Sequence, residues 1–96
     1  MITQLALESK LKELKPVLAQ KYFVNKIGYF GSFARNQQDD DSDIDILIEL
    51  SRPIGWDFFT MEAFLEQTFS RKVDLVTSSA LKSQLKDRIL QEVKYV

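Results

Sequence analysis

The sequence predicts an α/β (α+β) fold in one domain over residues 1–96, with a small mixed sheet of few strands flanked by about four helices. Three observations carry that expectation. One end of the chain repeats leucine at helical spacing. Two short runs, "DIDILIEL" and "RKVDLVT", have the apolar density of strands, and between and after them apolar residues return to a period near that of a helix. At 96 residues, with 45% hydrophobic residues, three glycines and two prolines, the composition is that of a packed globule with a small core.

From residue 2 to about 21, Leu7, Leu11, Leu14 and Leu18 are separated by lysines and glutamates, the pattern of an amphipathic helix with one buried stripe. Pro16 falls inside it and is expected to bend it. Lys26 to Phe30 reads as a short strand that stops at Gly31. "SFARN" suits a single helical turn or the opening of a short helix, and "QQDDDS" a polar loop. "DIDILIEL" alternates and then becomes nearly continuous apolar, as a strand does when its mouth is exposed and its body buried. "SRPIG" supplies breakers in Pro53 and Gly55. Phe58, Met61, Leu65 and Phe69 then share a helical face, and "RKVDLVT" gives the third strand. Ser78 or Ser79 is placed to cap a last helix whose Leu81, Leu85, Ile89 and Val93 recur every fourth residue. The predicted order is helix, strand, short helix, strand, helix, strand, helix, with no internal repeat, low-complexity segment or linker.

Composition narrows the chemistry. A net charge of −1 gives no general attraction to nucleic acid or to an anionic membrane. With neither cysteine nor histidine, thiol nucleophiles, disulfides, thiolate zinc sites and imidazole catalysis are excluded. Carboxylates, hydroxyls, lysine, arginine or a metal must do the work. No apolar run is long enough to span a bilayer and the start has no cleavage-like signal, so the expectation is a soluble cytoplasmic protein.

The densest chemistry is "GSFARNQQDDDSDID", Gly31 to Asp45, which holds five aspartates in fifteen residues. Asp43 and Asp45 flank Ile44, so in a strand both carboxylates project to one side, about 7 Å apart, while Ile44 points into the core. Such a pair repels itself unless a cation lies between its members. Magnesium, with its preference for carboxylate and phosphate oxygens, suits the site, and two such ions about 4 Å apart are the usual device for in-line attack on phosphorus. A third carboxylate on a neighbouring strand is needed to orient or deprotonate the attacking hydroxyl, and Asp74 in "KVDLV" meets that need. Gly31 lets the backbone approach a phosphate, Ser32 adds a hydroxyl, and a helix start after them would present free N–H groups.

Around this set the plainer readings stand beside the functional ones. Arg35 either touches phosphate or pairs with an acidic residue to brace the loop. Asp39, Asp40 and Asp41 read as a solvated loop. Trp56, Phe58, Phe59, Phe64 and Phe69 read as core, with Trp56 near a turn and open to exposure. Lys82, Lys86 and Arg88 form a solvated face, a phosphate contact or a partner surface, the first being the default.

"GSFARN", the ten residues from Phe33 through Ser42, "DID" and the later "VDLV" resemble the signature of the DNA polymerase β-like nucleotidyltransferases. Within that superfamily the chain is similar over essentially its whole length to the minimal nucleotidyltransferases that act as antitoxins to HEPN-domain ribonuclease toxins. The resemblance implies a polymerase β-like core and Mg²⁺-dependent transfer of AMP from ATP to a tyrosine hydroxyl of the toxin. It implies that Gly31 and Ser32 hold the triphosphate, with Arg35 a further nucleotide-binding candidate, that Asp43 and Asp45 bind metal, and that Asp74 completes the metal and catalytic triad. The expected partners are the HEPN toxin, in a hetero-oligomer, and ATP, with no direct nucleic acid and no membrane. One departure is visible: after the arginine the family often has glycine, and here stands Asn36, the residue next most tolerant of left-handed backbone. Two other classes compete, a module that masks its partner without catalysis and a small-molecule nucleotidyltransferase of the aminoglycoside type. The second is disfavoured, because no acceptor-binding domain is read in this sequence.

Overall fold

Alternation along three strands decides the architecture. In a computed structural model, which describes residues 2–96, β1 (Val24–Phe30), β2 (Ile44–Leu50) and β3 (Val73–Thr77) place Ile27, Tyr29, Ile44, Ile46, Ile48, Val73 and Leu75 in one buried cluster. Residues of opposite parity, among them Asp45 and Asp74, therefore belong to the other face of the sheet. β1 and β2 run antiparallel and β2 and β3 parallel. With a two-residue strand β4 (Lys94–Tyr95) antiparallel to β1, the order across the sheet is β3-β2-β1-β4.

The core face is covered by two helices. α1 (Gln4–Tyr22) buries the leucine stripe Leu7, Leu11, Leu14 and Leu18, and α2 (Asp57–Phe69) buries Met61 and Leu65. The Thr3 hydroxyl starts α1 by accepting from the Ala6 N–H at 3.0 Å, and Phe23 ends it in left-handed backbone at φ 59°. Pro16 lies within α1 without ending it. Among the described residues no helix is long and apolar enough to cross a membrane.

Three sequence expectations change. "SFARN" folds as consecutive turns and not as a helix opening, because Gly31 at φ 71° and Asn36 at φ 56° both break helical backbone. Ser78 and Ser79 do not cap the last helix: Ser78–Ala80 form one 3₁₀ turn, Leu81 and Lys82 are extended, and α3 begins at Ser83 and runs to Glu92. The apolar face of α3 is not core, since α3 contains no buried residue and Leu85 is 50% exposed. Phe59 also stands out with Trp56, the two rings tilted against each other, whereas Phe58, Phe64 and Phe69 pack against the core.

β4 was not expected at all. Its docking depends on Gly28, where a Cβ would meet the Lys94 carbonyl oxygen and the Val93 side chain at 2.8 Å. Only a residue without a side chain lets the end of the chain lie this close to β1.

Candidate functional site

The six residues singled out above lie at one end of the sheet, where β1 finishes and β2 and β3 begin. Pairing puts Phe30 opposite Asp45 and Asp45 opposite Asp74, so one row across three strands carries two carboxylates side by side on the face away from the core. Asp43 lies just before β2, exposed to solvent. Val73, at the start of β3, donates its N–H to Glu66 Oε2 at 3.1 Å, which fixes the strand where Asp74 begins.

Burial and charge act together on Asp45. Its carboxyl is pushed up to about 6, first by desolvation, then by the neighbouring charges of Asp74, Asp43 and Glu92, with Arg35 pulling the other way. The carboxylates are thus close enough to repel.

Gly31 is held against this group. Its φ is 71°, and a Cβ there would fall 2.0 Å from Asp45 Oδ2. Both the backbone angle and the space exclude a side chain. The turn that follows closes on itself through bonds from Arg35 N to Gly31 O (3.1 Å), Asn36 N to Phe33 O (3.2 Å) and Gln37 N to Ser32 O (2.8 Å). The N–H groups of Ser32, Phe33 and Ala34 take no part in these bonds. Buried Phe33 and Ala34 anchor the turn to the core. An N–H-rich turn beside acidic strand ends is an arrangement that can receive an anion next to a cation.

Two contacts here were not legible in the sequence. Arg35 pairs through its guanidinium with Glu92 Oε1, 57 positions away, at the end of α3. Arg71, between α2 and β3, donates from Nη1 to the carbonyl oxygens of Asp39 (3.0 Å) and Ser42 (2.8 Å), while its guanidinium lies 5.8 Å from the Phe33 ring centre. The aspartate-rich loop is therefore not loose. Asp39 Oδ1 accepts from the Asp41 N–H and the Ser42 hydroxyl, Ser42 Oγ accepts from the Asp39 N–H, and Arg71 ties this turn down one residue before Asp43. The spacing of "DDDS" could have signalled an Asx-type turn; Arg71 and Glu92 left no local signal.

Every donor at the site is a hard oxygen, which suits magnesium. Among the described residues no three acidic side chains stand close enough to hold a metal by themselves. Magnesium does not require that, because it keeps several waters and is completed by substrate phosphates. Burial raises Asp45 first and the charges of Asp74, Asp43 and Glu92 add to it; a divalent cation would offset both, so the residues present fit the ion. A larger cavity of about 400 Å³ lies at the other end of β2 and β3, between Glu49 and Arg52 on one side and Thr77 to Ser79 on the other, and contains none of the six.

Comparison with known proteins identifies the family. Residues 11–96 match the nucleotidyltransferase domain family. The chain is 39% identical to protein adenylyltransferase MntA of Thermococcus cleftensis, over 100% of this chain and 98% of that protein. Its fold superposes on a solved structure assigned as a minimal nucleotidyltransferase, with TM-score 0.83, 23% identity, and coverage of 97% of this chain and 95% of the other. A toxin-antitoxin structure with AMP-PNP matches at TM-score 0.75 and 21% identity, over 88% of this chain and 69% of that one.

Proposed function

The chain belongs to the nucleotidyltransferase domain family, and from that premise we propose that it transfers AMP from ATP to a tyrosine hydroxyl of a HEPN-type ribonuclease toxin, acting as its antitoxin in the cytoplasm. The observation that carries this reading is the row Phe30, Asp45, Asp74 with Gly31 pressed against the Asp45 carboxylate. Phosphate cradle and acidic pair are thereby brought into contact. The name of the Thermococcus relative supports a protein as acceptor, and the AMP-PNP structure of the same fold supports an adenine nucleotide as donor.

The proposed work divides among the residues by position. Gly31 and the early N–H groups of its turn, with the Ser32 hydroxyl and Arg35, hold the triphosphate. Asp43, Asp45 and Asp74 hold Mg²⁺, which when bound supplies the positive charge that offsets their repulsion and the charge gathering on phosphate. Asp74, at the β3 side of the row, orients the acceptor hydroxyl and takes its proton. The acceptor oxygen forms a bond to the α-phosphorus, the bond from that phosphorus to the bridging oxygen of the β-phosphate breaks, and pyrophosphate leaves with the electron pair. Tyrosine modification adds bulk and negative charge to the toxin. The acceptor protein binds this chain directly and no nucleic acid is needed.

The test is intact mass measurement of the partner protein after incubation with this chain, ATP and Mg²⁺, beside an Asp43→Asn control. A gain in whole AMP units that is lost in the control is the expected result. A tight complex with no mass change, neutralising the toxin all the same, would sink catalysis in favour of masking.

A further inference from the structure

A second cavity, of about 200 Å³, opens beside Gly31 on the side away from Asp74. Phe30, Leu85 and Ile89 give it an apolar wall, and Arg35, Arg88 and Glu92 give it charge. Its size decides what part of a ligand it takes. Pockets that enclose a whole small-molecule ligand run from roughly 300 Å³ upward, so this one receives a fragment.

Direction decides which fragment. In an in-line displacement the attacking and leaving oxygens lie on opposite sides of the phosphorus. Across the sheet the order is Asp74 on β3, Asp45 on β2, then the end of β1 and Gly31, and then the cavity. With the acceptor entering beside Asp74, the leaving group departs past Gly31 toward two guanidinium groups. Arginine is suited to that role because its planar fork can give two N–H bonds to one phosphate.

Resting on the nucleotidyltransferase reading above, we propose that this cavity is the site for the β- and γ-phosphates, with Arg88 as their second cation, and that Glu92 holds Arg35 in position until phosphate competes for it. The Arg35 and Glu92 side chains are 45% and 17% exposed, so the pair is reachable by a ligand. Arg88 is itself exposed and takes no part in the salt bridges among the described residues, which total three. The last-helix basic residues thereby separate: Arg88 lines the cavity, and Lys82 and Lys86 do not.

The experiment is calorimetric titration of the full chain, in Mg²⁺, with three probes: ATP, inorganic tripolyphosphate and AMP. Arg88→Ala is expected to weaken ATP and tripolyphosphate alike, by about tenfold, and to leave AMP unchanged. Arg88→Lys restores part of the loss, and Lys86→Ala, on the same helix outside the cavity, changes nothing. Equal weakening of ATP and AMP would give the cavity to the nucleoside and overturn the proposal. So would a loss in Lys86→Ala as large as in Arg88→Ala, which would make the effect one of general charge. Unchanged ATP binding in Arg88→Ala overturns this proposal alone, whereas failure of the unaltered chain to bind ATP or tripolyphosphate overturns the nucleotidyltransferase reading with it.

Discussion

The carboxylate end of the sheet and the arm that walls it are built on different terms. Asp45 sits between Ile44 and Ile46, both fully buried, and the cradle turn beside it is anchored by Phe33, also fully buried. The arm, α3 and β4, contains no buried residue and pairs in register with the sheet at Gly28 and Tyr29, with Val96 beyond it donating to the Ile27 carbonyl oxygen. The carboxylate row is carried by chain that cannot move without opening the core, while the wall beside Gly31 is attached lightly. Local stability of this uneven kind is where moving elements are drawn from.

The comparison breaks most directly at Gly31. Gly31→Ala puts a Cβ 2.0 Å from Asp45 Oδ2 at a φ of 71°, so either the turn or the carboxylate must shift. AMP transfer should fall by about a hundredfold or more, the scale of misplacing a reacting group by an ångström. Circular dichroism should still report a folded chain. Activity within a fewfold of the parent would mean that the platform is far softer than the buried row suggests.

Arg71 sharpens the same contrast, at a smaller scale. It is a positioning residue: it touches no carboxylate of the site, but pins the turn that delivers Asp43. Arg71→Ala should lower kcat about tenfold with KM for ATP nearly unchanged, and cost about 1 kcal/mol of stability through the two lost bonds. Arg71→Lys should recover part of kcat. If KM rises and kcat stays, Arg71 belongs to nucleotide binding and the loop is held by other means.

The platform was more legible than the arm, for a physical reason. Gly31, Ser32, Asp43, Asp45 and Asp74 lie in strand ends and turns whose geometry follows from local rules: alternation on β2 and β3, and glycine where φ is positive. Asn36, flagged for its tolerance of left-handed backbone, adopts φ 56°. The leucine stripe of α1 likewise declared its buried face. The arm gave misleading signals because its placement is tertiary. Apolar residues at every fourth position, Leu81, Leu85, Ile89 and Val93, bury a face only if something covers them, and Leu85 is half exposed. Two serines after a strand resemble a cap, yet the chain needs an extended Leu81 and Lys82 before α3 can start. β4 has two residues, too few for any periodicity, and its cause is the missing side chain of Gly28. The Glu92 and Arg71 contacts span 57 and about 30 positions, distances over which no local pattern speaks.

The smallest effect concerns the cost of holding Asp45 in the platform. Its carboxyl titrates near 6 in the folded chain, against 3.8 ordinarily, so folded protein binds the proton more tightly than unfolded protein. A group raised in this way contributes stability below about pH 4, and that contribution is lost as pH rises through 6. At pH 7 Asp45 is therefore a liability in the chain without metal or nucleotide. The full shift corresponds to about 3 kcal/mol, and the half-exposed, partly screened position reduces this to about 1 kcal/mol. Asp45→Asn removes the titration. In a chelator its unfolding midpoint should exceed the parent's by about 4–8 °C at pH 7, with the gap closing toward pH 4. A gap independent of pH would point to packing, and a less stable variant at pH 7 would show that Arg35 outweighs the three neighbouring carboxylates. With MgATP added the parent should regain the difference, because ligand binding favours the form that carries the charge.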